Sequence, residues 1–574
     1  MRKMKQFSLL FSVLFLGKTL FSQSIEDGIK NLNYEKYTTA QGIFSKLVAA
    51  NPNDVNAVYW LGQAYLQNDD DPDTAAARAL YQKTLQANPN APLMIVGMGQ
   101  IDLMEGHKDE ARNKFETALT IPKKRELPPI LVAVGRANVD AKDGDAHYAI
   151  DKLNQATDRD KKDPEIYVLL GDAYRKLIDG ANATLSYQKA LSLDPNDARA
   201  DFMIGRIYET QGYGQEPIYM KYYDAAIAAD PNFAPIYYWL YRYYYERDVN
   251  KSRDYLNKYI ALADPSPKNC YYQASLLYVS KLYKEAISKS DECISGGGTK
   301  VYPNLWGLKA YAYDKLGDSI DAKTNFQQYF DKVDTSKLGP NDYATFGRVL
   351  LKLPPQDSLA RIANDSLATA YINKAVAMDT VEANKVEYLT TTAQWEVDNK
   401  DYGAAAKWFT RILKVKKDFN NVDIFNAGYN DYRSGDYVNA DSAFAMYMDK
   451  YPKDIFGAYM RARASEGIDT AETMGLALPY YQRVIDLADS ANPKSNADKA
   501  YELTAYRFMV AYYYNTKKDI QSAYDWNSKI LAAYPDDPQA QANDKALKEL
   551  LARQQKAGGD KGAPEAKDST STGK

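Results

Sequence analysis

With 574 residues, 45% of them hydrophobic and 26% charged, the chain can bury a sizeable core in several ordinary domains or in one long solenoid. Its 72 basic and 75 acidic residues leave a formal net charge of −3. No basic excess is present to neutralise phosphates, which argues against nucleic acid as the main ligand. The 49 tyrosines are unusual, because a ring with a polar tip suits both packed seams and an open binding face.

The N-terminus reads as an export signal. Arg2, Lys3 and Lys5 precede an apolar run from Phe7 to Leu16 of about ten residues, roughly half of what a bilayer span needs. Lys18 interrupts the next few residues, and Leu20-Phe21-Ser22 before Gln23 forms a loose cleavage site, so residues 1–22 are assigned as a signal peptide. No cysteine lies near that site to carry a lipid, and no later stretch is apolar for long enough to cross a membrane. The expected address is the bacterial periplasm, with peripheral attachment to the envelope or outer membrane left open.

Beyond the signal, one spacing recurs. Gly28, Ala40, Phe44, Leu47 and Pro52 are separated by 12, 4, 3 and 5 residues, and Gly171, Ala183, Tyr187, Ala190 and Pro195 repeat that spacing. So do Gly428, Ala440, Phe444, Tyr447 and Pro452. Gly99, Ala111, Phe115 and Ala118 keep the first three steps, as do Ala310, Ala322, Phe326 and Tyr329. Ala393 to Ile412 and Ala511 to Pro535 add further copies, with degenerate units between. Small residues in the middle of two amphipathic helices let their backbones approach, the aromatic fills the seam, and the proline ends the second helix.

This pattern resembles the tetratricopeptide repeat, a helix–turn–helix of about 34 residues whose stacked neighbours supply the core that one unit lacks. The resemblance implies an all-α, right-handed superhelical solenoid of stacked helix–turn–helix units. About fourteen units fit between Ser24 and Ala540, followed by a capping helix from Ala540 to Gln555. Ser295 and Gly296 to Gly298 read either as a hinge or as a helix end needing left-handed residues. Taken as a boundary, they divide the repeats into arrays at 24–298 and 299–555. Residues 556–574, rich in Gly, Ala, Ser, Thr and Lys, read as a disordered tail.

Catalytic chemistry is hard to find. The two histidines, His107 and His147, each stand beside a second helix, where a solvated turn residue is the ordinary reading. The loop with Asp69, Asp71 and Asp73 matches three positions of a calcium loop, then has Thr74 and Leu80 where Gly and Glu are needed. No phosphate loop, nucleophile elbow or zinc-ligand spacing stands out, so the expectation is no enzyme, no metal and no cofactor. Cys270 and Cys293 fall at facing ends of one hairpin. They are a candidate disulfide in an oxidising compartment or two packed thiols, and the usual distance between helices favours the thiols. Tripeptides such as Asp73-Thr74-Ala75 and Asp318-Ser319-Ile320 resemble bacterial O-glycosylation acceptors, although Asp before Ser or Thr also caps helices.

In the resembled family, first helices line a concave groove for extended peptides or partner helices. Its lining lies three residues before, and one and four after, the small mid-helix residue. Carried onto the middle repeats, this selects Phe202, Arg206, Tyr238, Arg242, Tyr245, Tyr271, Tyr278 and Tyr311, an aromatic set with two guanidiniums. The expected function is a non-enzymatic periplasmic scaffold holding a protein or peptide, in envelope assembly or secretion. A glycan- or peptidoglycan-binding module, or the accessory subunit of a separate enzyme, is the alternative.

Overall fold

The computed structural model describes residues 24–68, 72–297, 301–354 and 358–559. The signal-peptide assignment, Asp69 to Asp71, Gly298 and the chain from Asp560 onward lie outside them. All regular structure among the described residues is helical, and it divides into two compact units, 1–316 and 317–574.

Unit 1 opens with α1 (Ile25–Asn33) and α2 (Tyr37–Ala50), then α3 (Val55–Leu66) and α4 (Thr74–Ala87), then α5 (Pro92–Met104) and α6 (Lys108–Thr120). It continues with α7 (Leu127–Asp140) and α8 (Ala146–Thr157), α9 (Pro164–Lys176) and α10 (Gly180–Leu193), and α11 (Ala198–Glu209) and α12 (Glu216–Ala229). Its last pairs are α13 (Ala234–Tyr244) with α14 (Val249–Leu262) and α15 (Pro267–Val279) with α16 (Tyr283–Gly296), followed by α17 (Asn304–Leu316).

Unit 2 begins with α18 (Ser319–Lys332), then α19 (Pro340–Leu351) and α20 (Ser358–Met378), and α21 (Glu382–Asp398) and α22 (Tyr402–Val415). After these come α23 (Asn421–Ser434) with α24 (Tyr437–Lys450), α25 (Ile455–Ile468) with α26 (Leu478–Ser490), and α27 (Asn496–Ala511) with α28 (Ile520–Ala533). The closing helix α29 (Pro538–Gly559) takes in the start of the expected tail. The division between units falls at Leu316, one helix beyond the glycine stretch. Leu305 and Leu308 of α17 pack with Ala274 and Cys293, which ties that helix to unit 1.

Local signals explain the pairs. Aspartates cap helix after helix, as Asp163 does by accepting from the Glu165 N–H at 2.9 Å, with Pro164 filling the first helical position. Asp73 and Asp318 do the same for α4 and α18, so capping accounts for those two Asp-Ser/Thr sites. Within a pair, the first-helix glycine and second-helix aromatic interlock. A Cβ on Gly28 would stand 2.3 Å from Phe44, and one on Gly62 would stand 2.1 Å from Tyr81. Those aromatics are fully buried, so the glycine is the space the ring needs.

Unit 1 also closes on itself. The Tyr34 hydroxyl donates to Asp230, and the Thr39 N–H donates to Asp264 at 3.1 Å. Lys30 lies 3.4 Å from Asp230, and Arg199 donates to Asn33 at 3.3 Å. The first repeat therefore touches α11 and the turns that follow α12 and α14, and the intervening first helices enclose a lumen.

In unit 2 the connection between α25 and α26 is held by one side chain. The buried Asp469 carboxylate accepts from the backbone N–H groups of Thr473, Met474 and Gly475 at 3.0, 3.0 and 2.7 Å, shaping the long turn before α26.

Candidate functional site: a tyrosine cleft and a charged lumen

The successive first helices α13 and α15 leave a cleft of about 350 Å³ between them, lined by Tyr241, Arg242, Tyr245, Glu246, Arg247, Tyr271, Tyr272 and Ser275. Three of the expected groove residues meet here: Arg242, Tyr245 and Tyr271. Arg242 and Glu246 are exposed and offer one charge of each sign at the mouth. The walls are preset. The Tyr245 hydroxyl donates to the Ser275 carbonyl at 3.0 Å, and the Tyr241 hydroxyl lies 3.3 Å from Ser275 Oγ. Burial pushes the Tyr245 phenol above its ordinary pKa, with the Ser275 bond pulling the other way, so the phenol stays a neutral donor. Arg247 is already engaged, 4.2 Å over the Tyr243 ring and donating to the Tyr213 hydroxyl at 2.7 Å.

The other expected groove residues lie elsewhere. Tyr238 stands one layer behind, its ring 5.1 Å from Tyr259 and 5.4 Å from Tyr272. Tyr278 is half-buried 5.4 Å from the Tyr283 ring, and burial lifts its phenol to about 12. Tyr311, on α17, is half-buried and outside the cleft lining. Arg206 lies 3.2 Å over the Trp239 ring, a stacked guanidinium more than an open hand. Phe202 requires a correction: it is 5% exposed and packs 5.9 Å from Tyr223 and 5.8 Å from Phe233, so it belongs to the core with only an edge on the lumen. A register rule finds the face, but neighbouring aromatics decide which rings the core takes.

Cys270 and Cys293 are bonded in this structure, against the reading as separate thiols. Their Cα atoms are 6.0 Å apart, because α15 and α16 approach more closely at these positions than the usual spacing between helices. The bridge pins the cleft's α15 wall to α16.

The lumen inside the closed turn of unit 1 measures about 510 Å³. On its wall the residue after each small mid-helix position forms a polar ladder. Gln63 donates to Gln100 at 2.7 Å. Buried Arg136 donates to Glu165 at 2.8 Å, with its guanidinium 5.0 Å over the Trp60 ring. Arg199 donates to Asp172 at 2.8 Å and lies 3.3 Å from Glu165. Asp140 accepts from Gln67 at 3.0 Å, and burial lifts its carboxyl to about 6 although Arg136 and Arg199 pull it down. Asp140 is open to water, yet protein surrounds it, as suits a group facing an enclosed space. The same register rule, applied to the earlier repeats, points to Gln63, Gln100, Arg136 and Asp172. The sequence reading applied it only to the aromatic middle.

Among the described residues, one group has metal-ligand geometry. Oxygen or nitrogen atoms of Asp102, Glu105 and His107 lie within 4.8 Å of one another, but Lys114 pairs with Asp102 and Arg78 holds Glu105 at 2.6 Å. Both carboxylates are neutralised from within the chain. Among the described residues, no helix is long and apolar enough to cross a membrane.

Residues 33–92, from the end of α1 to the start of α5, match the family described as tetratricopeptide repeat. No catalytic family is indicated, and no curated protein matches the chain. Among solved structures, the C-terminal part of a TPR repeat-containing protein from Cytophaga hutchinsonii is 24% identical. That match covers 47% of this chain and 98% of the other, with a TM-score of 0.30. A tetratricopeptide repeat protein from Parabacteroides merdae is 16% identical over 52% of this chain and 98% of its own, with a TM-score of 0.28. Yeast Tom70 is 13% identical over 71% of this chain and 94% of its own, with a TM-score of 0.33. With its tandem helix pairs and the match at residues 33–92, the chain is a tetratricopeptide-like helical solenoid.

Proposed function

We propose that the chain is a non-enzymatic scaffold, exported to the periplasm, that grips an extended segment of a protein partner in the cleft between α13 and α15. The observation that carries this reading is the cleft itself: preset tyrosine walls with Arg242 and Glu246 exposed at the mouth. Such a surface orders only the partner on binding, which lowers the entropic cost of association. Tyrosine and arginine are also the side chains that dominate interface energetics. The ring faces here are largely turned on one another, as in the Tyr241–Tyr245 and Tyr271–Tyr272 edge contacts, which suits a peptide better than a stacked sugar. Export rests on the basic start and apolar run of residues 1–22, and a role in envelope assembly or secretion goes with it.

A photo-reactive residue at Arg242, in intact cells, tests the reading against a control probe at exposed Lys221 on α12. Capture of a defined protein from Arg242 alone is the expected result. Equal capture from both positions, or capture of glycan in place of protein, overturns it.

A further inference from the structure

In unit 2, α20 has 21 residues and is longer than its partner α19. The ends of α19 and α21 and the facing sides of α20 and α22 surround a cavity of about 900 Å³. Glu396, on the last turn of α21, lines it. This side chain is 7% exposed, and its carboxyl has no hydrogen bond or ion pair among the described residues. Its carboxyl opens onto the cavity, where a donor arriving from outside can reach it.

The charges around it define that partner's sign. The groups that act on Glu396 most strongly are Asp401, from the turn before α22, and Asp365 of α20, with Arg361 of α20 opposing them. Asp365 and Arg361 are only loosely paired, at 3.7 Å. One Asp401 oxygen caps α22 by accepting from the Ala404 N–H at 3.0 Å, which leaves the other facing away from that bond. The remaining charged lining groups are Lys352 at the end of α19, Lys400, and Lys407 and Arg411 on α22. Arg411 is committed, 4.2 Å over the Trp408 ring and donating to Asn373 at 3.2 Å. Glu396, Asp365 and Asp401 thus form the acidic part of a lining that also carries five bases, and the Glu396 carboxyl has no donor from the chain among the described residues.

We propose that the Glu396 cavity receives a lysine or arginine side chain presented by a protein partner. The incoming cation supplies the donors that Glu396 lacks and balances Asp401, and the bases of the lining favour a segment with acidic residues beside that cation. A protein suits the site better than a small cation, since the cavity is far larger than an ammonium group. Leu359 and Ile362, next to Arg361 on α20, stand 78% and 64% exposed as an apolar margin. The proposal rests on the reading of the chain as a protein-binding scaffold, but not on the α13–α15 cleft, which belongs to the other unit.

The test is selection of a phage-displayed random peptide library on the full chain, with titration of the selected peptides against the wild type, Glu396→Gln, Asp365→Asn and Arg242→Ala. Expected are peptides with a basic residue that bind Glu396→Gln at least tenfold more weakly and Arg242→Ala unchanged. Their affinity falls about tenfold from pH 8 to pH 6, as Glu396, held near 7 by burial and Asp401, takes up a proton. Asp365→Asn, a milder change on the rim, weakens binding in the same direction and guards against a folding defect in the first variant. Peptides that lose affinity only in Arg242→Ala overturn this site while leaving the cleft reading intact. Failure of the wild type to select any peptide overturns both, and selected peptides indifferent to Glu396→Gln or without a basic residue overturn this one.

Discussion

A methyl group on Gly171 would stand 2.4 Å from Cε1 of Tyr187, a ring with no exposed surface whose hydroxyl donates to Asp172 at 2.6 Å. Neither the ring nor the hydroxyl can retreat without giving up its seat. Gly171→Ala is expected to destabilise the α9–α10 pair by about 1–3 kcal/mol through overpacking. Hydrogen exchange should locate the loss in α9 to α11, because solenoid repeats depend mainly on their neighbours.

The buried ion network of the lumen makes a larger demand. Arg199→Met takes the nearer guanidinium from Asp172, leaving Arg175 at 3.6 Å, and one of the two that serve Glu165, so a loss of about 2–4 kcal/mol is expected in denaturant melts. Replacing Asp172 together with Arg199 by apolar residues should recover only part of it, because the buried Tyr187 hydroxyl then loses its acceptor.

Asp469→Ala removes the acceptor for three backbone N–H groups in the turn before α26 and should cost about 1–3 kcal/mol. Faster proteolysis between Ile468 and Leu478 is the accompanying sign.

Unit 2 should lose stability as pH rises from the ordinary carboxylate range towards neutrality. Burial, then Asp401 and Asp365, lifts Glu396 to about 7; burial, then Asp436, lifts Asp431 to about 6. Both carboxyls hold protons in the fold that the unfolded chain has already released, so stability is fullest below the ordinary carboxylate range and declines as pH rises to about 7. Asp537, held low by its bond to the Ala540 N–H, acts in the opposite sense: its contribution is present above the unfolded value and lost in acid. Amide protection in α21, corrected for intrinsic exchange, should fall by about 1–2 kcal/mol between pH 5 and 8, allowing for solvent screening in the cavity, and Glu396→Gln should flatten the decline.

Reduction of the Cys270–Cys293 bridge, which closes a separation of 23 residues, should lower the stability of α15 and α16 by about 3 kcal/mol in the chain-entropy account. A thermal scan with and without reductant, beside the Cys270→Ser and Cys293→Ser pair, measures it.

How far the chain could be read from sequence depends on where each feature's determinants lie. The Gly171–Tyr187 spacing lies within one hairpin, so one repeat's worth of sequence specifies the contact, and the fold was legible to that extent. Phe202 depends on Phe233, which comes from the next repeat's entry turn, and no rule internal to a repeat predicts that a second ring will bury the first. Glu396 was missed because its character comes from Asp365 and Asp401 on other elements and from a turn that departs from the repeat. The disulfide was read as two thiols because sequence places two ends face to face without setting their distance.

The contacts that close unit 1 join residues 196 and 225 positions apart, Tyr34 with Asp230 and Thr39 with Asp264. A chain that emerges from its N-terminus can form α1 and α2 at once, yet cannot complete their outer face until α14 has been made. The first repeat made is thus among the last to be finished, and until then it presents an open edge to whatever shares its compartment.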